Sequence, residues 1–474
     1  MKKLVLLMLI FPTWIGMQAQ KPFSLEEAVN YALEHNRSLK AVRYDADKSE
    51  SAYKENRAGW MPQVDATVDY SYYFGYEIEF DFASGTDYDF TAEDISNATV
   101  AGNTAAGVYG GTFDPAQYVG GQAYEASLMA MLPPTVIDMG STSTATVSLG
   151  QVFFNGQLLV GIRAAKKGME LAQKNIELSE LDVREGVANA YYSVLVLEGT
   201  SDVLAKSLEE MHSLIKKTES LVEVGMLERT ELDQLQVQLM NLKNSQLAMD
   251  RNIQITYNLL RFHLGLKVNE PIVLTDDLEN IMSVLTAENM LAQEMDVNSN
   301  LSYQMMDKQV ELSEEMVDMQ KMAYAPSLTG FYAYNAKILT SGFDMTPPHM
   351  VGASLSIPIF SSGARKQKVK QSELDLMKAE NSREIVKENL QMQEAQLRLT
   401  YMSRFEEYMN KKENVIVSRR VYDSYERKFS QGMVSGMELT QANNSYLQAE
   451  SSFLSAELSL LQARVAFLKM LNGL

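Results

Sequence analysis

The chain has 474 residues, 42 basic against 61 acidic side chains, a net charge of −19 and no cysteine. An acidic surface of this size repels nucleic acid and anionic headgroups, so neither is an expected partner. The missing thiol excludes disulfides, thiolate metal sites, cysteine nucleophiles and a lipidated N-terminal cysteine.

Lys2 and Lys3, the apolar run Leu4 to Phe11 and Met17-Gln18-Ala19 read as a secretory signal, so residues 1–19 are set aside from the fold. No later stretch holds about eighteen consecutive apolar residues, so any membrane crossing falls to β-strands. Ser24 and Glu27 form an S-x-x-E capping box that opens a first short helix. A further helix is expected over 38–59. From Val64 through Ala66, Val68, Tyr70, Tyr72, Phe74, Tyr76 and Ile78 to Phe80 every second residue is apolar or aromatic, while Asp65, Thr67, Asp69, Ser71, Glu77 and Glu79 take the other face. That is the period of a strand. A return strand over 141–154 sets Ala145, Val147 and Leu149 against Thr144, Thr146 and Ser148. The segment 81–140 between them holds eight acidic residues and no lysine or arginine. It is expected as an acidic extracellular lid or plug, against the plainer reading of a solvated loop.

Residues 157–223 and 363–430 contain no proline and read as helices of about 100 Å each. Gly225 and Gly432 mark the turns where they fold back into helices over 227–265 and 434–471. The second half also has a helix over 301–324 and two strands, with Gly330, Tyr332, Tyr334, Ala336 and Ile338 sharing one face and Val351, Ala353, Leu355, Ile357 and Ile359 returning.

These landmarks recur. Ser148 to Asn155 aligns with Ser354 to Ser361, and Gly225 to Gln234 aligns with Gly432 to Gln441. Asn36 to Pro62 parallels Asn298 to Pro326, with a two-residue difference in length. The chain is therefore expected to be an internal duplication, residues 20–270 and 271–474, of one unit: helix, strand, loop, strand, long helix, turn, helix. Two short helices end to end match one long helix, as the wall of a helical tube requires. Strands with one apolar face suit a membrane barrel with a wet lumen or a soluble sandwich; helices this long favour the barrel. Four strands do not close a barrel, so two or three subunits must share one.

At this point the chain resembles the TolC family of outer-membrane efflux proteins. The resemblance runs over residues 23–474. It is carried by Ser24-Leu25-Glu26-Glu27-Ala28, Asn36, Pro62 and Pro326, the turns at Gly225 and Gly432, and above all Phe429 to Leu471. It implies an α+β, mostly α fold: a long antiparallel α-helical barrel, with four strands per protomer contributing to a twelve-stranded transmembrane β-barrel in a homotrimer. It further implies a passive duct in the outer membrane of a Gram-negative bacterium, with a large periplasmic portion. Such a duct docks to a periplasmic adaptor and an inner-membrane pump of RND or ABC type.

The resemblance places the periplasmic entrance at the turns. Glu231 and Glu438 match one another and stand near it, with Gln234 and Gln441 one helical turn on. The family often has a second acid at the position of Gln441 and, in some members, a gating arginine at that of Val434. Three copies of Glu438 would form a cation-favouring ring; the plainer reading is solvated helix charge. Gly225, Met226, Leu227, Gly432, Met433 and Val434 put apolar side chains on turns, a candidate adaptor-docking surface, the plainer reading being a local cap contact. Trp60, Tyr72, Tyr73, Phe74 and Tyr76 suit interfacial aromatic belts or plain barrel packing. The 29 methionines are scattered and read as packing, His35, His212, His263 and His349 share no metal spacing, and no catalytic or nucleotide motif occurs, so neither an enzyme nor a cofactor is expected. The competing class is a coiled-coil structural protein with no pore.

Overall fold

In the computed structural model, residues 21–75, 77–80, 135–138, 140–268, 270–283, 295–339 and 347–474 are described. The expected secretory leader and most of the 81–140 insert lie outside the described residues. The chain divides into two compact units. A helical unit comprises the chain up to Asn56, Gln157–Ala323 and Phe360–Leu474; a strand unit comprises Arg57–Gly156 and Tyr324–Ile359.

In chain order the elements are β1 (Lys21–Phe23), α1 (Leu25–His35), α2 (Arg37–Ala58), β2 (Gln63–Tyr72), β3 (Glu77–Phe80), β4 (Thr135–Asp138), β5 (Ser141–Asn155), α3 (Gly156–Glu223) and α4 (Arg229–Leu264). The second half follows as β6 (Ile272–Leu274), α5 (Leu278–Ser283), α6 (Leu301–Lys321), β7 (Ser327–Leu339), β8 (His349–Ser356), α7 (Ala364–Ser430) and α8 (Gly436–Met470). The long helices α3 and α7 have 68 and 67 residues.

The strand unit holds a four-stranded antiparallel sheet, β2-β5-β7-β8. Its register aligns Val64, Leu149, Tyr332 and Val351 across all four strands, and Asp65, Ser148, Ala333 and Met350 one residue along. The expected apolar faces of the separate strands thus merge into one. That face is solvent-exposed in the single chain: Val64 is 68% accessible and Val351 82%. Among the described residues β2 and β8 each have an unpaired edge. On the opposite face Thr146 Oγ1 donates to Asn335 Oδ1 at 2.9 Å.

One strand differs from expectation. The alternating run Val64–Phe80 is two strands, β2 and β3, separated at Tyr73–Gly75. Gly75 at φ 63° and Gly140 at φ 31° lie on the two chains flanking that break, where Tyr73 N–H donates to the Gly140 carbonyl. Positive φ is open to glycine and ends the ladder locally. β4, inside the segment expected as loop, pairs with β3.

The helical unit is built from heptads. Tyr401, Tyr408, Tyr422 and Phe429 of α7 are buried at seven-residue multiples, and Leu439, Tyr446, Phe453, Leu460 and Phe467 recur every seven along α8. A strict seven-residue repeat keeps one seam facing a supercoiled partner. The helices run antiparallel, and aromatic rings stack between them: Tyr401 with Phe467 at 6.3 Å, Tyr408 with Phe453 at 5.6 Å, and Tyr422 with Tyr446 at 5.9 Å. Among the described residues, no helix is long and apolar enough to cross a membrane.

Two buried asparagines locate the internal symmetry. Asn36 Oδ1 accepts from Ser38 N and Leu39 N at the start of α2, while its Nδ2 donates to the His263 carbonyl at the end of α4. Asn300 Oδ1 accepts from Ser302 N at the start of α6, and its Nδ2 donates to the Met470 carbonyl at the end of α8. The counterpart of Asn36 is therefore Asn300, not the expected Asn298, and the two-residue length difference disappears. Each asparagine caps one helix N-terminus and satisfies one helix C-terminus together. The opening strands β1 and β6 also pair, in parallel.

Candidate functional site

The two turns are built alike. At Gly225, φ 77°, Gly225 N–H donates to Val222 O and Met226 N–H to Leu221 O; at Gly432, φ 72°, Gly432 N–H donates to Phe429 O and Met433 N–H to Lys428 O. Both are Schellman closures, which need a left-handed residue where glycine stands.

The apolar turn residues divide into two sets. Leu227 and Val434 are half-buried against Tyr422, Phe429, Leu439 and Ala442, so each serves as a local cap contact. Met226, Met433 and Met437 stay exposed at 73%, 69% and 63%. Val224, just before Gly225, is likewise 69% exposed. Beside them a cavity of about 570 Å³ opens between the ends of α3 and α7, lined by Leu214, Leu221 and Phe429 with Lys217, Glu426 and Arg427.

The matched acids Glu231 and Glu438 do different work. Glu438 closes a capping box with Ser435: its carboxylate accepts from Ser435 N at 2.8 Å and Oγ at 3.0 Å, and its own N–H donates back to Ser435 Oγ. The Ser435 backbone bond first, and the hydroxyl bond second, hold the Glu438 carboxyl below the usual range and keep it charged. The same S-x-x-E signature read at Ser24 would have found it; the equivalent helix α4 begins instead at Glu228, whose side chain makes no cap bond. Glu231 reaches across to the other hairpin, where its Oε2 accepts from Gly436 N at 2.7 Å. Gln234 and Gln441 are exposed one turn further on.

A second tie lies further along the hairpins. The Arg419 guanidinium sits over Tyr446 at 5.0 Å and Tyr422 at 5.5 Å, with Glu210 of α3 at 3.4 Å and Asp423 at 2.9 Å. Gln238 Nε2 donates to Asn444 Oδ1 at 2.6 Å. These contacts hold hairpin α3–α4 against α7–α8 within one chain. No motif announces the Arg419–Glu210 and Gln238–Asn444 contacts, because each joins residues about two hundred positions apart. Among the described residues no cluster of histidine, aspartate and glutamate is arranged to hold a metal ion.

The outer membrane efflux protein family model matches residues 127–266 and 291–473. Nothing among curated protein sequences matches the chain. Solved structures do. The CmeC outer membrane channel of Campylobacter jejuni is 14% identical, at a TM-score of 0.67 over 95% of this chain and 85% of that one. VceC of Vibrio cholerae is 13% identical, at 0.66 over 95% and 96%. MtrE of Neisseria gonorrhoeae, in an open state, is 15% identical, at 0.66 over 95% and 89%. At these identities the likeness speaks for the fold.

Proposed function

The chain belongs to the outer membrane efflux protein family, a family of channels rather than enzymes, and on that premise we propose that three copies assemble one passive export duct. The observation that carries a shared barrel is the four-stranded sheet with, among the described residues, two open edges and an apolar face directed at solvent; the count of three is the one the family resemblance implies. An unpaired edge is not tolerated in lipid, and three such sheets edge to edge make a closed barrel of about twelve strands. A coiled-coil scaffold without a pore gives this sheet no role.

Each chain supplies the repeats 20–270 and 271–474. The turns face the periplasm, where an adaptor protein docks on Met226 and Met433 and on the groove beside Phe429, linking the duct to an RND or ABC pump in the inner membrane. Gly225 and Gly432 shape the turns, and Leu227 and Val434 brace them from inside. Glu231, Gln234, Glu438 and Gln441 line the entrance, with the charged Glu438 carboxylates as its selective ring. With valine at 434 and glutamine at 441, the entrance is held by Glu231–Gly436 and Arg419–Glu210 contacts instead of an arginine at the turn.

The test is the purified full-length protein in detergent and in planar bilayers. A trimer by native mass spectrometry that conducts ions is expected; a stable monomer without conductance overturns the duct.

A further inference from the structure

Glu457 lies midway along α8 and is 6% exposed. Among the described residues its carboxylate has no hydrogen-bond or ion-pair partner. Burial of a carboxylate without such a partner favours either its neutral form or an opposite charge brought beside it. Its side chain lines a cavity of about 460 Å³ walled by α5, α7 and α8, a size that suits a small ligand.

The rest of the wall is two aromatic rings and charge of one predominant sign. Tyr408 and Phe453 stack at 5.6 Å. Asp277, just before α5, and Glu279 of α5 reach the same cavity, as does Lys412 of α7. Glu279 and Glu450 repel the Glu457 carboxylate and Lys412 attracts it. Lys412 Nζ stands 5.8 Å from the Tyr408 ring centre, so an ammonium is already accommodated on that face.

We propose that this cavity binds a small organic cation, an alkylammonium group, with Glu457 as its counter-charge and Tyr408 and Phe453 as its apolar walls. A desolvated carboxylate beside aromatic faces is the chemistry that recognises such cations. A hard divalent ion needs several oxygen ligands converging, and here one carboxylate is buried while Asp277 and Glu279 are exposed. The exposed Lys412 is a tethered competitor, whose ammonium can swing between solvent and the cavity. Binding is proton-linked: burial first, then Glu279 and Glu450, push the Glu457 carboxyl up to about 7, so acid neutralises the counter-charge.

The experiment is isothermal titration of tetramethylammonium chloride into the full-length channel in detergent at pH 8, with sodium chloride as the ionic-strength blank. Saturable heat is expected with wild type. Binding should weaken about tenfold or more in Glu457→Gln, tighten severalfold in Lys412→Met, and weaken in wild type at pH 5. Equal affinity in wild type and Glu457→Gln overturns the site. So does the absence of saturable heat in both wild type and Lys412→Met, which would leave a proton as the only neutralising partner. Neither outcome depends on whether the channel exports anything.

Discussion

Gly436 and Glu231 offer a test in which one substitution changes sign with its background. Gly436 is the first residue of α8 and is buried, and its N–H is held by Glu231 Oε2 at 2.7 Å. A methyl group at 436 would fall inside van der Waals contact of that same oxygen. Alanine in a helix is favoured over glycine by up to about 1 kcal/mol, so with no neighbour Gly436→Ala should stabilise slightly. With Glu231 present, the methyl displaces the carboxylate and leaves a buried amide without its acceptor, at a cost of about 1–3 kcal/mol. Glu231→Ala alone should cost a similar amount. In the Glu231→Ala background the methyl meets only the Phe429 ring, at an ordinary contact distance of 3.7 Å, and Gly436→Ala should become neutral or stabilising. The coupling between the two sites is then about 2 kcal/mol. Hydrogen exchange of the first turn of α8, with chemical unfolding of the purified channel, reads both quantities. If Gly436→Ala shifts stability by the same amount and sign in both backgrounds, the tie between the hairpins does not exist.

Glu457→Gln should flatten the pH dependence of stability. The native carboxyl titrates at about 7 against an ordinary 4.5, so its proton stabilises the fold below pH 4.5 and is lost as pH rises through 7. The variant should exceed wild type at pH 8 by at most about 3 kcal/mol and lose that advantage at pH 4; parallel thermal-melt profiles would refute this. Asn36→Ser and Asn300→Ser each keep a cap acceptor but lose the donor to a helix-end carbonyl, costing about 1–2 kcal/mol in urea unfolding. Their costs should add, since they share no partner; a strongly sub-additive double variant would contradict that. Gly265→Ala combines a left-handed φ of 76° with a clash against the His35 carbonyl, and should cost more in the same assay than Gly225→Ala, which has the φ without the clash. Glu438→Gln should reduce cation selectivity in bilayers, and unchanged reversal potentials would reject the ring.

Much of the architecture was legible because it is written locally. Period two over Val64–Tyr72 and the proline-free, helix-forming stretches 157–223 and 363–430 set element type. Ser24, Gly225 and Gly432 set ends, because capping and left-handed turns are satisfied within a few residues. The four expected strand faces merged into one across the middle of the sheet, while the β5–β7 ladder shifts register at Ser143/Thr144 and at Val152/Phe154.

What the sequence left open is the identity of partners far along the chain. Glu231 and Glu438 are equivalent by alignment. Yet Ser435 folds Glu438 onto its own helix, whereas Glu228 makes no side-chain cap bond and Glu231 crosses to Gly436. The asparagine that matters in the second half is Asn300 rather than Asn298, because only the backbone path shows which one meets the Met470 carbonyl. Leu227 and Met226 are neighbours of like character, and packing alone buries one and exposes the other. Glu457 looks like any glutamate on a polar helix until α5 and α7 close over it. Local chemistry determined where helices and strands run; which side chains are buried, paired or left facing a cavity was decided by packing between segments remote in sequence.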